Sequence, residues 1–170
     1  MALQLFKIAD VLVESPVATV TFSSIPSGYT DLIVKISGRV DGSTAPELSL
    51  KINSTTGGYS TIDLVGNGSI ADTSSTSGNN WLAIRRSING SSTTANVFSN
   101  TEIYIPNYTS STNKSVSADG VIENNATAGY SVLCAGLSTV TSAITSLTFS
   151  MESTGTNFVA NSTFTLYGVL

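Results

Sequence analysis

Between Val17 and Arg39 the chain reads VATVTFSSIPSGYTDLIVKISGR, two alternating runs on either side of a turn. In Val17–Phe22, Ala18, Val20 and Phe22 share one face. In Asp31–Arg39, Leu32, Val34 and Ile36 share a face, opposite Ile33, Lys35 and Ser37. Successive side chains of an extended strand point to opposite sides, so period two is the mark of a strand with one face in a core. Between the runs, Ile25-Pro26 and Ser27-Gly28 supply a fixed φ and a position tolerant of positive φ, which together read as a turn.

The same period recurs along the chain. It predicts strands at Glu47–Asn53, Tyr59–Val65, Trp81–Ile88, Val97–Ile105, Lys114–Ile122, Gly129–Leu137, Ile144–Met151 and Thr163–Val169, while the short apolar Leu3–Ala9 reads as a first edge strand or an arm that docks on a partner. The links carry turn chemistry: Asp41-Gly42-Ser43 before Pro46, Gly57-Gly58, Asn89-Gly90, Pro106-Asn107 and the polar stretch Glu123–Ala128. Gly66–Asn80, rich in Gly, Ser, Thr and Asn with little apolar content, reads as a long flexible loop. No segment has a useful helical period. About nine or ten strands without intervening helices imply an all-β protein with antiparallel pairing, a sandwich or a barrel, and the preferred reading is an antiparallel β-sandwich, jelly-roll-like. The jelly roll is favoured because the first and last strong strands, Val17–Phe22 and Thr163–Val169, are apolar enough to be neighbours in one sheet. A length of 170 residues suits one such domain over 17–170, with 1–16 as an N-terminal arm or edge strand.

Charge narrows the function classes. Charged residues are 11% of the chain, against about 25% in an average domain. The net charge is −4, and the seven basic residues are scattered. Arg85-Arg86 is the only adjacent pair, and a strand would send its members to opposite faces. No basic stripe exists to neutralise phosphates, so nucleic acid is not an expected partner. No apolar run reaches the ~18 residues of a membrane helix, and Met1–Asp10 lacks the apolar centre of a signal peptide. Neither a membrane nor secretion is expected, and synthesis is expected in the cytoplasm. The single cysteine, Cys134, excludes an internal disulfide and reads as a small buried hydrophobe. The Asn-x-Ser/Thr matches, seven of them from Asn53 to Asn161, follow from composition.

Catalytic chemistry finds few handles. There is no histidine, which removes the commonest general base and the usual triads and zinc sites. Gly66-Asn67-Gly68-Ser69-Ile70-Ala71 matches a dinucleotide fingerprint and follows a strand, but no helical period follows to aim a dipole at pyrophosphate. Asp63, Glu102, Asp119 and Glu123 are the carboxylates near strand ends that a glycosidase would need. No Asp-x-Asp-x-Asp-Gly run marks a calcium loop. The expectation is a protein that is not an enzyme, with no catalytic, cofactor or metal residues. Trp81, Tyr59 and Tyr108 are the candidates for stacking a glycan, against the commoner use of such rings in a core.

The stretch Ser24–Val34, followed by Ser37-Gly38-Arg39, resembles the opening of small jelly-roll virion proteins of tailed bacteriophages. Thr94–Phe98 with Ile103–Tyr108 resembles their middle, and Ala143–Thr148 with Phe164–Val169 their end. The resemblance implies a virion structural protein on the capsid surface. It would be a capsid cement or decoration protein, a homotrimer bound to the major capsid protein and made in the host cytoplasm. Met1–Asp10 is then the arm that docks on the capsid. The alternative within the family is a head- or tail-fibre knob that binds a host receptor or glycan. The absence of fibre-like repeats favours a compact block over a shaft.

Overall fold

A computed structural model describes residues 4–42, 47–123, 129–153 and 155–170. Residues 1–3 of the expected arm, 43–46 of the expected turn before the fourth strand and 124–128 of the expected polar loop lie outside the described residues. The described chain is all β, with twelve strands and no helix. They are β1 (Leu5–Leu12), β2 (Thr19–Phe22), β3 (Asp31–Ser37), β4 (Leu48–Ile52), β5 (Tyr59–Gly66) and β6 (Ala71–Asn79). Then follow β7 (Leu82–Ile84), β8 (Asn100–Ile105), β9 (Lys114–Glu123), β10 (Gly129–Ser138), β11 (Leu147–Met151) and β12 (Thr163–Val169).

These strands form an antiparallel sandwich. The large sheet runs β1-β12-β3-β8-β9-β10-β5-β6, and the small sheet runs β2-β11-β4-β7. Only β5–β6, β8–β9 and β9–β10 connect neighbours within a sheet; every other connection crosses to the opposite sheet. That repeated crossing makes the topology jelly-roll-like. It also corrects one expectation. The first and last strong strands are not neighbours: β2 pairs with β11 in the small sheet, while β12 lies between β1 and β3 in the large one. They face the same core from opposite sides. Both edges of β12 are already occupied, so β2 has no place beside it.

The alternation seen in sequence is the core. Leu32, Val34 and Ile36 from β3, Leu48, Leu50 and Ile52 from β4, and Phe164 and Leu166 from β12 are all buried. An aromatic chain spans the sandwich: Phe22 to Phe149 at 6.3 Å, Phe149 to Phe164 at 5.7 Å and Phe164 to Phe158 at 5.0 Å between ring centroids. Two of these contacts are edge-on, the arrangement that ring quadrupoles favour. Gly168 in β12 is needed where the Tyr29 ring lies against the strand, since any side chain there would overlap the ring.

Buried polar groups are matched. Tyr59 accepts the Ile52 N–H at 2.8 Å through its hydroxyl. Tyr108 donates to the Pro26 carbonyl, so the Ile25–Gly28 turn is tied to the far end of β8. Lys114, 1% exposed, donates to the carbonyls of Ser110, Thr112 and Val140. Burial lowers its pKa. Arg39 donates to the carbonyls of Thr93, Thr94 and Val97, and so holds the loop that leads into β8.

Gly66–Asn80 is the largest departure from the sequence reading. It is a hairpin and a nine-residue strand, not a loop. Asn67 builds its turn: the side-chain carbonyl accepts the N–H groups of Ser69 and Ile70, and Gly68 takes φ +86°. The dinucleotide-like motif is therefore a β-turn followed by a strand. Trp81–Ile88 is the opposite case. Only Leu82–Ile84 is strand, and Arg85-Arg86 sits in a turn with Arg86 at φ +49°. Val97 and Ile144 likewise lie before the strands expected to include them.

Candidate functional site

The outer face of the large sheet is divided by charge. On β1, β12, β3 and β8 it carries ion pairs and aromatic rings: Lys7 with Asp10 and Lys35 with Glu102, each at 2.8 Å, and Tyr104 and Tyr167 on either side of Ile33. Tyr104 donates to the Asp31 carboxylate at 2.7 Å, and this bond raises its pKa. Along β10 and β5 the outer face is apolar, bordered by Ser and Thr of β6 and by Ser115, Ser117, Asp119 and Val121 of β9. Val121, Leu133, Leu137, Ile62 and Leu64 are 42–65% exposed. Register sets them side by side: Leu64 opposite Leu133, Ile62 opposite Ala135 and Leu137 opposite Ser60. Two shallow hollows, about 410 and 580 Å³, open between these side chains over Ser60, Ala135 and Ser117.

A second uncovered apolar surface lies at the opposite end of the sheet. β1 is its edge strand, paired with β12 on one side only. Leu5 and Leu12, at the two ends of the outer face of β1, and Leu170 are 48–56% exposed, while Phe6 on the inner face packs on Tyr29. The free edge presents unpaired backbone groups next to apolar side chains, the combination that recruits another chain unless it is blunted. A register shift between Lys7 and Ala9 and the Lys7–Asp10 pair blunt part of it.

The inner side of β5 holds a polar cluster. Asp63 is 2% exposed and accepts from Arg85 at 3.0 Å, and Arg85 reaches Asp72 on β6 at 3.3 Å. Burial pushes the Asp63 carboxyl up, against the pull of Arg85. Glu47 is also pushed up, first by burial and then by the like charge of Glu152. Opposite Asp63 on the neighbouring strand β10, burial drives the Cys134 thiol up to about 12. A carboxyl whose pKa is raised in the fold holds its proton more tightly there than in the unfolded chain, so its ionisation opposes folding. Glu47→Gln is therefore expected to melt higher than the parent at neutral pH. The gap should close as pH falls below the ordinary glutamate range, and a gap constant with pH in parallel melting curves would sink the idea.

The residues singled out for chemistry do not form one site. Asp63 faces inward in an ion pair, and Glu123 accepts from the Thr94 N–H and hydroxyl at the end of β9. Glu102 and Asp119 are cross-strand neighbours, but on the open outer face beside Lys35. Of the glycan candidates, Tyr59 and Tyr108 are fully buried and cannot stack a sugar. Their rings fill the core and their hydroxyls bond backbone. Trp81 is half-buried, near Glu47. Arg86 stacks over Tyr130 at 4.8 Å rather than joining Arg85. Among the described residues, no three side chains of Asp, Glu or Cys gather as a metal-binding group, and no helix is long and apolar enough to cross a membrane.

Ile62, Leu64, Val121, Leu133 and Leu137 escape a sequence reading because alternation gives two faces without saying which is inside. The signal was nevertheless present. Gly129–Leu137 is apolar on both faces, more than a strand with one solvated side needs. An antiparallel all-β sandwich with uncovered apolar surface at both ends of its large sheet is the class this fold defines. No protein-family model matches the chain, and no curated protein matches it in sequence.

Proposed function

We propose that this protein is a non-enzymatic virion structural protein of a tailed bacteriophage, a capsid cement or decoration protein that binds the outer capsid surface and reinforces it. The observation that carries the reading is the β1 edge, paired on one side only, with Leu5 and Leu12 exposed on its outer face. Such an edge docks by adding a strand or a loop of a partner to the sheet, with apolar side chains seated alongside. The partner in this reading is the major capsid protein. The expected arm thus acts as an edge strand of the block rather than as a loose tail. The sequence resemblance supplies the virion context and the homotrimer. The scarcity of charge supports it physically, because a surface with few ions is cheap to bury against a lattice.

The test is the position of the protein in purified particles. Cryo-electron microscopy should find it at high copy over the capsid lattice, with β1 toward the shell. Density confined to fibre ends at low copy would reject cement. A second reading, a fibre knob that binds a receptor or glycan, rests on Tyr104 and Tyr167, which the outer face offers close together across Ile33. Glycan-array binding abolished by Tyr104→Ala and Tyr167→Ala would favour it.

A further inference from the structure

We infer that the apolar half of the outer face, on β9, β10, β5 and β6, is covered by another copy of this same chain. The size of the face is the first argument. Four strands about 4.8 Å apart and roughly eight residues long make a surface of about 500 Å² in projection. With side-chain relief added, that approaches the ~800 Å² per partner of a standard stable interface, with the apolar strip along β10 and β5 at its centre and the hydroxyl residues of β9 and β6 at its rim.

Charge is the second argument. Among the described residues, the outward side chains over the middle of this face are Ile62, Leu64, Leu133, Ala135 and Leu137 with small hydroxyl residues around them. Asp119 stands at the border toward β8, where Lys35 lies within its influence. A partner chosen by opposite charge would find almost nothing to read. A copy of the chain meets no like-charge barrier, and surfaces shared by identical subunits are the ones that run this apolar. Shape agrees: Leu133, Leu64 and Leu137 project, while the two hollows over Ser60, Ala135 and Ser117 lie between them. The charged half of the face, with its two lysine–carboxylate pairs, stays hydrated outside the contact.

This assignment rests on the face and not on the virion reading. The experiment is sedimentation equilibrium of the full chain at micromolar concentration, parent against Leu133→Glu, with circular dichroism to verify the fold. The parent is expected to be a dimer or trimer, and Leu133→Glu a folded monomer with association weakened at least 100-fold. Leu5→Glu at the β1 edge should leave the oligomer intact. If Leu133→Glu does not fold, Ile62→Ser with Leu137→Ser replaces it, removing apolar knobs without adding charge. A monomeric parent, or a Leu133→Glu oligomer of unchanged mass, overturns the assignment. Co-sedimentation with purified capsids separates the two claims. An oligomer that ignores capsids overturns only the cement reading, and a monomer that binds them overturns this assignment and the homotrimer while leaving capsid binding intact.

Discussion

Phe164→Ala should cost about 3–5 kcal/mol of folding stability, the range for removing a phenyl ring from a packed core. Phe164 is fully buried in β12, between β1 and β3 of the large sheet, and its ring touches both Phe149 from the small sheet and Phe158. Truncation removes the one side chain shared by the two contacts, so the void lies at the centre of the sandwich, where neither sheet relaxes easily. Urea denaturation followed by tryptophan fluorescence reads the effect as a lower midpoint with an unchanged slope. A loss below about 1 kcal/mol would mean that the two sheets are not packed through this ring.

Arg85→Met should be the most damaging surface-accessible substitution, at about 3 kcal/mol at neutral pH. Asp63 is buried on the inner face of β5, and Arg85 is its counter-charge. Without it an ionised carboxylate is left in a site that already resists ionisation. Protonation is the escape, so the loss should shrink as pH falls and the carboxyl of the variant takes up a proton. Asp63→Asn combined with Arg85→Met should recover most of the stability, because no charge is then stranded. A loss that is the same at neutral and mildly acidic pH, or a double variant as unstable as the single, would show that the pair does not hold β5 in place.

These effects separate what alternation shows from what it hides. Leu32, Val34 and Ile36 stand on one parity with Lys35 and Ser37 on the other, so both the strand and its inner face can be read directly. The same holds for Leu48, Leu50 and Ile52. Tyr59–Val65 is ambiguous, because Ile62 and Leu64 oppose a set that contains Thr61 and Asp63. The structure turns the charged set inward, since Arg85 is there to receive it. β6 leaves no trace in hydropathy because it lies at the sheet edge: its inward residues meet Arg85 and the Thr61 hydroxyl rather than a core. Backbone pairing to β5 and the Asn67 turn hold it, and neither depends on apolar side chains. The apolar outer face of β10 and β5 was hidden for a related reason, whereas Met1–Asp10 already read as a docking arm. Periodicity counts apolar residues by face, and only the fold shows which face is left uncovered.

Cys134 turns this arrangement into a built-in clock. It is the only thiol, it sits 5% exposed in β10 with β9 and β5 paired on either side, and its pKa of about 12 leaves almost no thiolate at neutral pH. A maleimide added to the folded protein must therefore wait for β10 to part from its neighbours. The labelling rate counts openings of the large sheet at β10, on the inner face of the strand whose outer face a second subunit would press, without any introduced probe.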